Sequence, residues 1–233
     1  MNSDNLFIVM PAYNEESNIG TVAREWHNVV ASIGPSSRLV IFNDGSKDRT
    51  LEQLRQLEVE LPQLIGVDKP NSGHGATVQF AYRYALDNGA DFIFQTDSDG
   101  QTLPQEFEAF WEKRREYDVI IGHRKGRQDG FSRILVTKVL KWVIRFIFKE
   151  KITDANTPFR LMSRDVLSKY IDTIPKDYNL SNVLLTVRFV KGKAKVLFIP
   201  ITFRPRQGGV NSINFRRITK IGKQAVKDFR QLR

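Results

Sequence analysis

The feature that most constrains this fold is the alternation of short β-rich runs with helical patterns in the first half of the chain. The predicted strands lie at 6–10, 38–42, 64–67 and 91–96. Between them, apolar residues recur at helical spacing over 18–32, 48–60 and 75–88. This alternation predicts an α/β domain with a mostly parallel, doubly wound sheet and helices on both faces. Ligands of such sheets bind at the carboxyl ends of the strands, so we expect the functional residues in the loops there.

The second half continues this pattern and then departs from it. A helix at about 104–116 and a strand at 118–122 extend the alternation. After them, the sequence predicts a long basic helix (132–149), a helix near 163–172, a strand pair around 183–203 and a basic helix over 214–232. Repeats, low-complexity segments and Pro-, Gly- or Ser-rich linkers are absent, so we expect a single domain over 1–233.

Composition excludes several classes of protein. The chain has no cysteine, which rules out disulfides, thiolate metal sites and a cysteine nucleophile. Its first residues carry no basic and apolar leader, and no stretch approaches the roughly 18–20 apolar residues of a membrane span. We therefore expect a cytoplasmic protein that is soluble or peripheral to a membrane.

Charge is distributed unevenly along the chain. Residues 1–117 hold 10 Lys and Arg against 18 Asp and Glu, whereas residues 118–233 hold 26 against 8. The basic half predicts an anionic partner, which on charge alone is nucleic acid, a phosphorylated ligand or a membrane surface.

Two carboxylates follow the fourth predicted strand. Asp97 and Asp99 flank Ser98 at the end of an apolar run. Paired carboxylate oxygens suit Mg²⁺ or Mn²⁺, and such a cation bridges a diphosphate. The alternative is an Asp-rich turn that caps the helix beginning near Pro104.

Three other polar loops follow the preceding strands. Their sequences are PAYNEE (11–16), NDGSKD (43–48) and NSGHGA (71–76). Each alone is explained by helix caps and turns. Together, however, four polar loops at successive strand ends of one sheet are expected to converge on one crevice.

These four motifs, in this order, resemble the nucleotide-sugar half of inverting glycosyltransferases of family 2, which have the GT-A fold. The resemblance is dense over 6–124 and implies that about 1–100 binds the nucleotide sugar and about 101–233 the acceptor. It implies that Asp44 binds the base and that Asp97, Asp99 and Gln101 hold a divalent cation, Mg²⁺ or Mn²⁺. The other residues expected at the donor are Pro11, Tyr13, Glu15, Phe42 and Ser98.

Later segments resemble one branch of this family, the dolichyl- and polyprenyl-phosphate sugar transferases. The resemblance rests on Gln101, on Arg124, on Arg133 ahead of the basic helix, and on the segment DANTPFR at 154–160, where Pro158 replaces the usual glycine. The segment RQGGVNS (206–212) resembles a loop that closes over the diphosphate, which implies that Arg206 clamps the anion. The Gln-x-x-Arg-Trp motif of polymer-forming members is absent.

The two basic helices predict a membrane-facing surface. In the first, Lys138, Lys141, Arg145 and Lys149 fall within an arc of roughly 80°, and the remainder is largely apolar. The second repeats this arrangement with Arg216, Lys220, Lys223, Lys227 and Arg230. Basic amphipathic helices suit an anionic membrane interface, although two ordinary surface helices show the same pattern.

The resemblance implies transfer of a hexose from a nucleotide-diphosphate sugar to a polyprenyl phosphate at the cytoplasmic membrane face. An ionised phosphate needs no general base, and Arg124 and Arg133 are the expected cations that hold it. The alternative acceptor is a sugar hydroxyl, which requires a base, and Asp154 is the carboxylate placed for that role. Nucleic-acid binding and nucleotidyl transfer are disfavoured because the sequence has no helix-turn-helix, zinc-finger or RNP signature and no Gly-rich basic N-terminal loop.

Overall fold

A computed structural model describes residues 4–124, 145, 152–176 and 178–204. These residues form one seven-stranded sheet. The strands are β1 (Leu6–Ala12), β2 (Arg38–Asp44), β3 (Leu64–Lys69), β4 (Phe92–Gln95), β5 (Val119–Arg124), β6 (Arg160–Ser163) and β7 (Val196–Ile201). Their order across the sheet is β3-β2-β1-β4-β6-β5-β7.

The sheet is mostly parallel, as predicted. Strand β1 pairs in parallel with β2 and β4, β2 with β3, and β5 with β7. Strand β6 is antiparallel to both of its neighbours, β4 and β5. Its first residue, Arg160, is therefore in register with Gln95 on one side and Ile121 on the other, in the middle of the sheet.

Helices cover both faces, which confirms the predicted architecture. They are α1 (Ile19–Ile33), α2 (Thr50–Glu60), α3 (His74–Asp87), α4 (Glu108–Trp111), α5 (Arg164–Ile171) and α6 (Ser181–Lys191). Helices α1, α2 and α4 pack on one face and α3, α5 and α6 on the other. The period of two in a strand divides β1 between these cores: Phe7 and Val9 face α3, whereas Ile8 and Met10 face α1.

The strand pair predicted around 183–203 is wrong in its first half. Residues Ser181–Lys191 form α6, and only β7 is a strand. The run from Val183 to Val187 is fully buried, so it has no polar face to show the helical period. Its β-branched residues favour a strand locally, but burial against α3 and α5 decides for a helix.

Other predicted elements differ in length or lie outside the described residues. The helix expected at 104–116 is a short 3₁₀ turn, Pro104–Glu106, followed by the single turn of α4. Strand β6 was not predicted, because its four residues are too few to show a period. Of the basic helix predicted at 132–149 the structure describes only Arg145, which is helical and exposed, and the one at 214–232 lies outside the described residues.

Substituting Gly75 tests how tightly α3 is packed near the sheet end. A Cβ at Gly75 would lie 2.3 Å from the carbonyl oxygen of Tyr178 and 2.7 Å from Cα of Asn179. Because these atoms are backbone, we expect Gly75→Ala to lower the free energy of unfolding by about 1–3 kcal/mol. Urea denaturation followed by circular dichroism measures this change.

The matched control is Gly20→Ala in α1. The nearest atom there is the flexible guanidinium of Arg24, at 3.4 Å. Alanine favours a helix over glycine, so this variant should be unchanged or more stable by up to about 1 kcal/mol. Equal losses in both variants would contradict the close packing inferred at Gly75.

Candidate active site

The loops that follow β1, β2, β3 and β4 converge on one cavity, as the sequence predicts. The cavity has a volume of about 570 Å³, within the usual range for small-molecule sites. Eleven residues line it: Pro11, Ala12, Tyr13, Glu15, Asp44, Asn71, Gly73, His74, Asp97, Ser98 and Asp99. Four of these are carboxylates, so the cavity is strongly acidic.

Reciprocal hydrogen bonds hold the loops after β1 and β2 together. Asn14 adopts a left-handed backbone (φ 55°), which asparagine tolerates better than most residues. Its N–H donates to Ser46 Oγ at 3.0 Å, and its Oδ1 accepts from the N–H of Lys47 at 2.8 Å. The N–H of Glu16 donates to Asp48 Oδ2 at 3.1 Å. The backbone on both sides of Asn14 is therefore fixed, together with the cavity-lining side chains that it carries.

Tyr13 and Glu15 reach the cavity from this loop. Tyr13 is 44% exposed, so its ring presents a free face to a ligand. Glu15 is buried, its N–H donates to Thr50 Oγ1, and its Oε2 accepts from Asn18 Nδ2 at 2.8 Å. Glu15 is thus oriented by its own loop, whereas Tyr13 can stack on a planar group.

Asp44, at the end of β2, accepts hydrogen bonds on both carboxylate oxygens. Its Oδ1 accepts from Lys69 Nζ and from the N–H of Ser72, and its Oδ2 from the N–H of Gly73 at 3.0 Å. Burial opposes ionisation, but these donors outweigh it and hold the pKa of Asp44 below its usual range. The Thr77 side chain is a further hydrogen-bond partner, so the acceptor positions of this carboxylate are largely occupied by the protein.

Asp97, after β4, is in the opposite electrostatic situation. Its Oδ1 is buried and has no hydrogen-bond partner among the described residues. Burial raises the pKa of Asp97 to about 6, and the like charges of Asp99 and Glu15 add to this, while His74 and Arg124 oppose it. The ionised form of Asp97 is therefore unfavourable when no cation is bound nearby.

The residues present fit a divalent cation at Asp97 and Asp99. A buried, unpartnered carboxylate oxygen beside a second carboxylate is a hard donor pair of the kind that Mg²⁺ and Mn²⁺ prefer. Within the described part of the chain, no three Asp, Glu, His or Cys side chains form a complete cluster for a metal. Asp97 and Asp99 would hold the cation, and oxygens of a bound diphosphate and of water would supply further ligands.

Two predicted donor residues lie outside the cavity lining. Gln101 is buried, and its Nε2 donates to the carbonyl of Arg204 at 2.8 Å, so its amide holds the chain after β7. Phe42 is fully buried, and its ring packs edge to face against Tyr84 and the partly exposed Phe80. Ser98 does line the cavity, and its Oγ donates to the carbonyl of Pro11, near the end of β1.

Arg124, at the end of β5, forms a bidentate ion pair with Asp154. Nε and Nη2 donate to the two carboxylate oxygens at 2.9 and 3.0 Å. The side chains are only 10% and 8% exposed, and the guanidinium lies over the ring of Phe203 at 5.2 Å. Such a desolvated, two-bond pair orients both groups closely.

Two predicted residues remain to be accounted for, and three residues at the site were not predicted individually. Arg133 and Arg206 lie outside the described residues. Lys69, the partner of Asp44, was not predicted, although it ends the neighbouring strand β3. Asn71 and His74 line the cavity and belong to the predicted loop NSGHGA, which was the available signal.

Comparison with known proteins identifies the family. A family model described as Glycosyl transferase family 2 matches residues 7–171. The chain therefore belongs to glycosyltransferase family 2 and is an enzyme of the glycosyltransferase class.

Two relatives and one solved structure are similar to this chain over most of its length. The chain is 24% identical over 216 residues to polyprenol monophosphomannose synthase of Mycolicibacterium smegmatis, covering 89% of this chain and 80% of that protein. It is 26% identical over 167 residues to undecaprenyl-phosphate 4-deoxy-4-formamido-L-arabinose transferase of Pectobacterium carotovorum, covering 70% of this chain but only half of that protein.

The solved structure is glucosyl-3-phosphoglycerate synthase from Mycobacterium tuberculosis in complex with Mn²⁺, UDP and glucosyl-3-phosphoglycerate. It matches with a TM-score of 0.68 at 13% identity, covering 98% of this chain and 80% of that chain. This likeness confirms the predicted GT-A fold.

The raised pKa of Asp97 makes a prediction about stability. An unfolded aspartate titrates near 3.8, and in the folded protein the pKa is about 6. Between these values the folded state retains a proton that the unfolded state has lost, so stability falls as pH rises and stays low above pH 6. We expect Asp97→Asn, which carries no charge, to be more stable than the parent by about 1–3 kcal/mol at pH 7.5 in EDTA.

Thermal unfolding at several pH values measures this difference. It should shrink as pH falls from 7.5 to 4, because the parent carboxyl becomes protonated. The control is Asp87→Asn, at the exposed end of α3, which should leave the melting temperature unchanged. A stabilisation by Asp97→Asn that does not depend on pH would contradict the electrostatic explanation.

Proposed function

We propose that this enzyme transfers a hexose, with inversion, from a nucleotide-diphosphate sugar to a polyprenyl phosphate, and that it requires a divalent cation. The observation that carries the choice of acceptor is the bidentate ion pair between Arg124 and Asp154. It provides an oriented guanidinium near the acidic cavity and engages the carboxylate that the alternative acceptor would need.

The donor is proposed to lie across the strand ends. Pro11, Tyr13 and Glu15 line the part of the cavity assigned to base and ribose, and Asp44, which lines the same cavity, is proposed to bind the base. The α3 end of the cavity, with Gly73 and its neighbours, completes this pocket. Ser98 supports the cavity wall through its hydrogen bond to the carbonyl of Pro11 in β1.

Asp97 and Asp99 are proposed to hold the cation, Mg²⁺ or Mn²⁺. When bound, the cation neutralises charge on the leaving diphosphate. The buried and unpartnered Oδ1 of Asp97 supports this role. The side-chain amide of Gln101 donates to the carbonyl of Arg204, which favours a role for Gln101 in ordering the residues after β7. This role is compatible with the one predicted for Gln101 at the metal.

The acceptor phosphate is proposed to bind at Arg124, assisted by Arg133, which lies outside the described residues. A phosphate monoester is ionised at neutral pH and attacks the anomeric carbon without a base. It needs a fixed cation, and a guanidinium binds two phosphate oxygens at once. Arg206, also outside the described residues, is proposed to clamp the diphosphate.

Transfer to a sugar hydroxyl is the less supported alternative. It requires Asp154 to take a proton, but both oxygens of Asp154 already accept hydrogen bonds from Arg124. A carboxylate paired with a guanidinium is a weaker base than a free one. This pairing therefore favours a phosphate acceptor.

The names of the two relatives agree with a lipid phosphate acceptor, since one is a polyprenol monophosphomannose synthase and the other an undecaprenyl-phosphate sugar transferase. No helix in the described part of the chain is long and apolar enough to cross a membrane. We propose that the enzyme acts at the cytoplasmic face of a membrane, with 1–100 binding the donor and 101–233 the lipid. The basic residues of 118–233 support attraction to anionic lipid.

The direct test is an assay with purified protein, Mg²⁺ or Mn²⁺, a panel of UDP- and GDP-sugars and a short polyprenyl phosphate. We expect one donor to give a lipid-linked sugar, and EDTA to abolish the product. Replacing the phosphate by the corresponding polyprenol removes the charge that Arg124 recognises, so the alcohol should not react. Absence of product with every donor would reject the proposed function.

Two variants separate the acceptor classes. Arg124→Gln should raise the KM for the polyprenyl phosphate at least tenfold, because one charge-assisted contact contributes about 1.5–3 kcal/mol. Asp154→Asn should retain measurable transfer, because no proton is abstracted. Complete loss in Asp154→Asn, with transfer to a sugar hydroxyl in the parent, would support the alternative acceptor instead.

A further inference from the structure

Arg160, the first residue of β6, is a buried cation that the proposed mechanism does not use. Its side chain is 0% exposed in the middle of the sheet, between β4 and β5. Burying a guanidinium is costly unless its N–H groups are satisfied. The identity of its partners therefore indicates what this residue is for.

The partners of Arg160 are mainly carbonyl oxygens of the segment that precedes it. Nε and Nη2 donate to the carbonyl of Thr157 at 3.0 and 2.7 Å, and Nη2 also donates to the carbonyl of Ala155 at 3.1 Å. Nη1 donates to the carbonyl of Asn182 at 3.1 Å and to Thr186 Oγ1 at 3.2 Å, both on α6. Among the described residues, no carboxylate accepts a hydrogen bond from this guanidinium.

The guanidinium thus joins the 154–157 segment to helix α6. Thr186 reinforces the junction, because its hydroxyl lies 3.1 Å from the carbonyl of Ala155 and 2.7 Å from that of Asn182. Residues 152–159, which precede β6, belong to no helix or strand. Here three carbonyls and one hydroxyl are held by one rigid, planar group.

The residue at the start of this segment is Asp154. Its carboxylate receives both hydrogen bonds from Arg124, and its Oδ1 lies 3.3 Å from the N–H of Asn156. A shift of the Ala155 and Thr157 carbonyls therefore moves Asp154, and with it the direction in which Arg124 points. Among the described residues, the hydrogen bonds of Arg160 go to backbone carbonyls and to the Thr186 hydroxyl, not to Asp154 itself.

We propose that Arg160 is a positioning residue for the acceptor phosphate: it fixes the segment that carries Asp154, and Asp154 in turn orients Arg124. This inference rests on the role proposed above for Arg124. It assigns no contact between Arg160 and the substrate. It predicts an effect on the acceptor that is absent for the donor, because the donor loops after β1 and β2 make none of these contacts.

Arg160→Lys is the decisive variant. Lysine keeps the charge, but its single ammonium cannot reach the carbonyls on both sides that the planar guanidinium joins. With the nucleotide sugar found active in the panel and a short polyprenyl phosphate, we expect the acceptor KM to rise at least tenfold. The donor KM should stay within twofold, which a general loss of structure would not produce.

Hydrogen exchange supplies a measurement that needs no substrate. In Arg160→Lys the amides of 152–159 should exchange at least tenfold faster than in the parent, whereas those of α1 (Ile19–Ile33) should not change. Thr186→Val removes one acceptor of the guanidinium and one hydrogen bond to Ala155. It should raise the acceptor KM and the exchange rate at 152–159, each by less than Arg160→Lys does. This gentler variant decides the question if Arg160→Lys does not fold.

Arg164→Lys is the matched control. Arg164 also donates to two carbonyls, those of Leu86 at 2.7 Å and Ala90 at 3.1 Å, but it begins α5 and has no link to Asp154. We expect its acceptor KM and its exchange at 152–159 to match the parent.

Unchanged exchange at 152–159 in Arg160→Lys, or equal changes of donor and acceptor KM, would overturn the inference. Failure of the proposed function is distinguishable, since the parent would then form no product with any donor. In that event the role of Arg160 in acceptor binding is rejected as well. Hydrogen exchange at 152–159 still decides whether Arg160 holds that segment in place.

Discussion

Four carboxylates line one cavity at the strand ends, and much of the surrounding structure depends on how their mutual repulsion is relieved. Asp44 is ion-paired with Lys69 and accepts two backbone amides, which keeps its pKa low. The Oδ1 of Asp97 receives no hydrogen bond from any residue that the structure describes, and burial raises the pKa of this carboxyl. The same acidic cavity thus contains one carboxylate compensated by the protein and one that is suited to an external cation.

Rigid loops make this arrangement possible. The backbone around Asn14 is held by the loop after β2, and the loop after β3 is held by Asp44 itself. A charged side chain therefore has a structural role as well as a place in the cavity. Preorganised polar groups lose little further freedom when a ligand binds, which favours both affinity and electrostatic stabilisation.

The second half of the described chain uses buried guanidinium groups in a different way. Arg124 is held by a carboxylate, and Arg160 by carbonyls. This difference between their partners is informative. A guanidinium that is paired with a carboxylate near the cavity can exchange some of its hydrogen bonds for bonds to a phosphate. One that is sealed among carbonyls serves the backbone.

The sequence by itself determined the parallel sheet, the helices on its two faces and the convergence of polar loops at its carboxyl edge, because hydrophobic period and loop position are local properties. It also indicated Asp97 and Asp99 as a pair. Only the tertiary structure decided the rest. The fully buried run from Val183 to Val187 in α6 shows no helical period, and four-residue β6 is too short to show any. The Lys69–Asp44 pair, the Arg124–Asp154 pair and the unpartnered oxygen of Asp97 depend on distances between residues far apart in the chain, which no local pattern encodes.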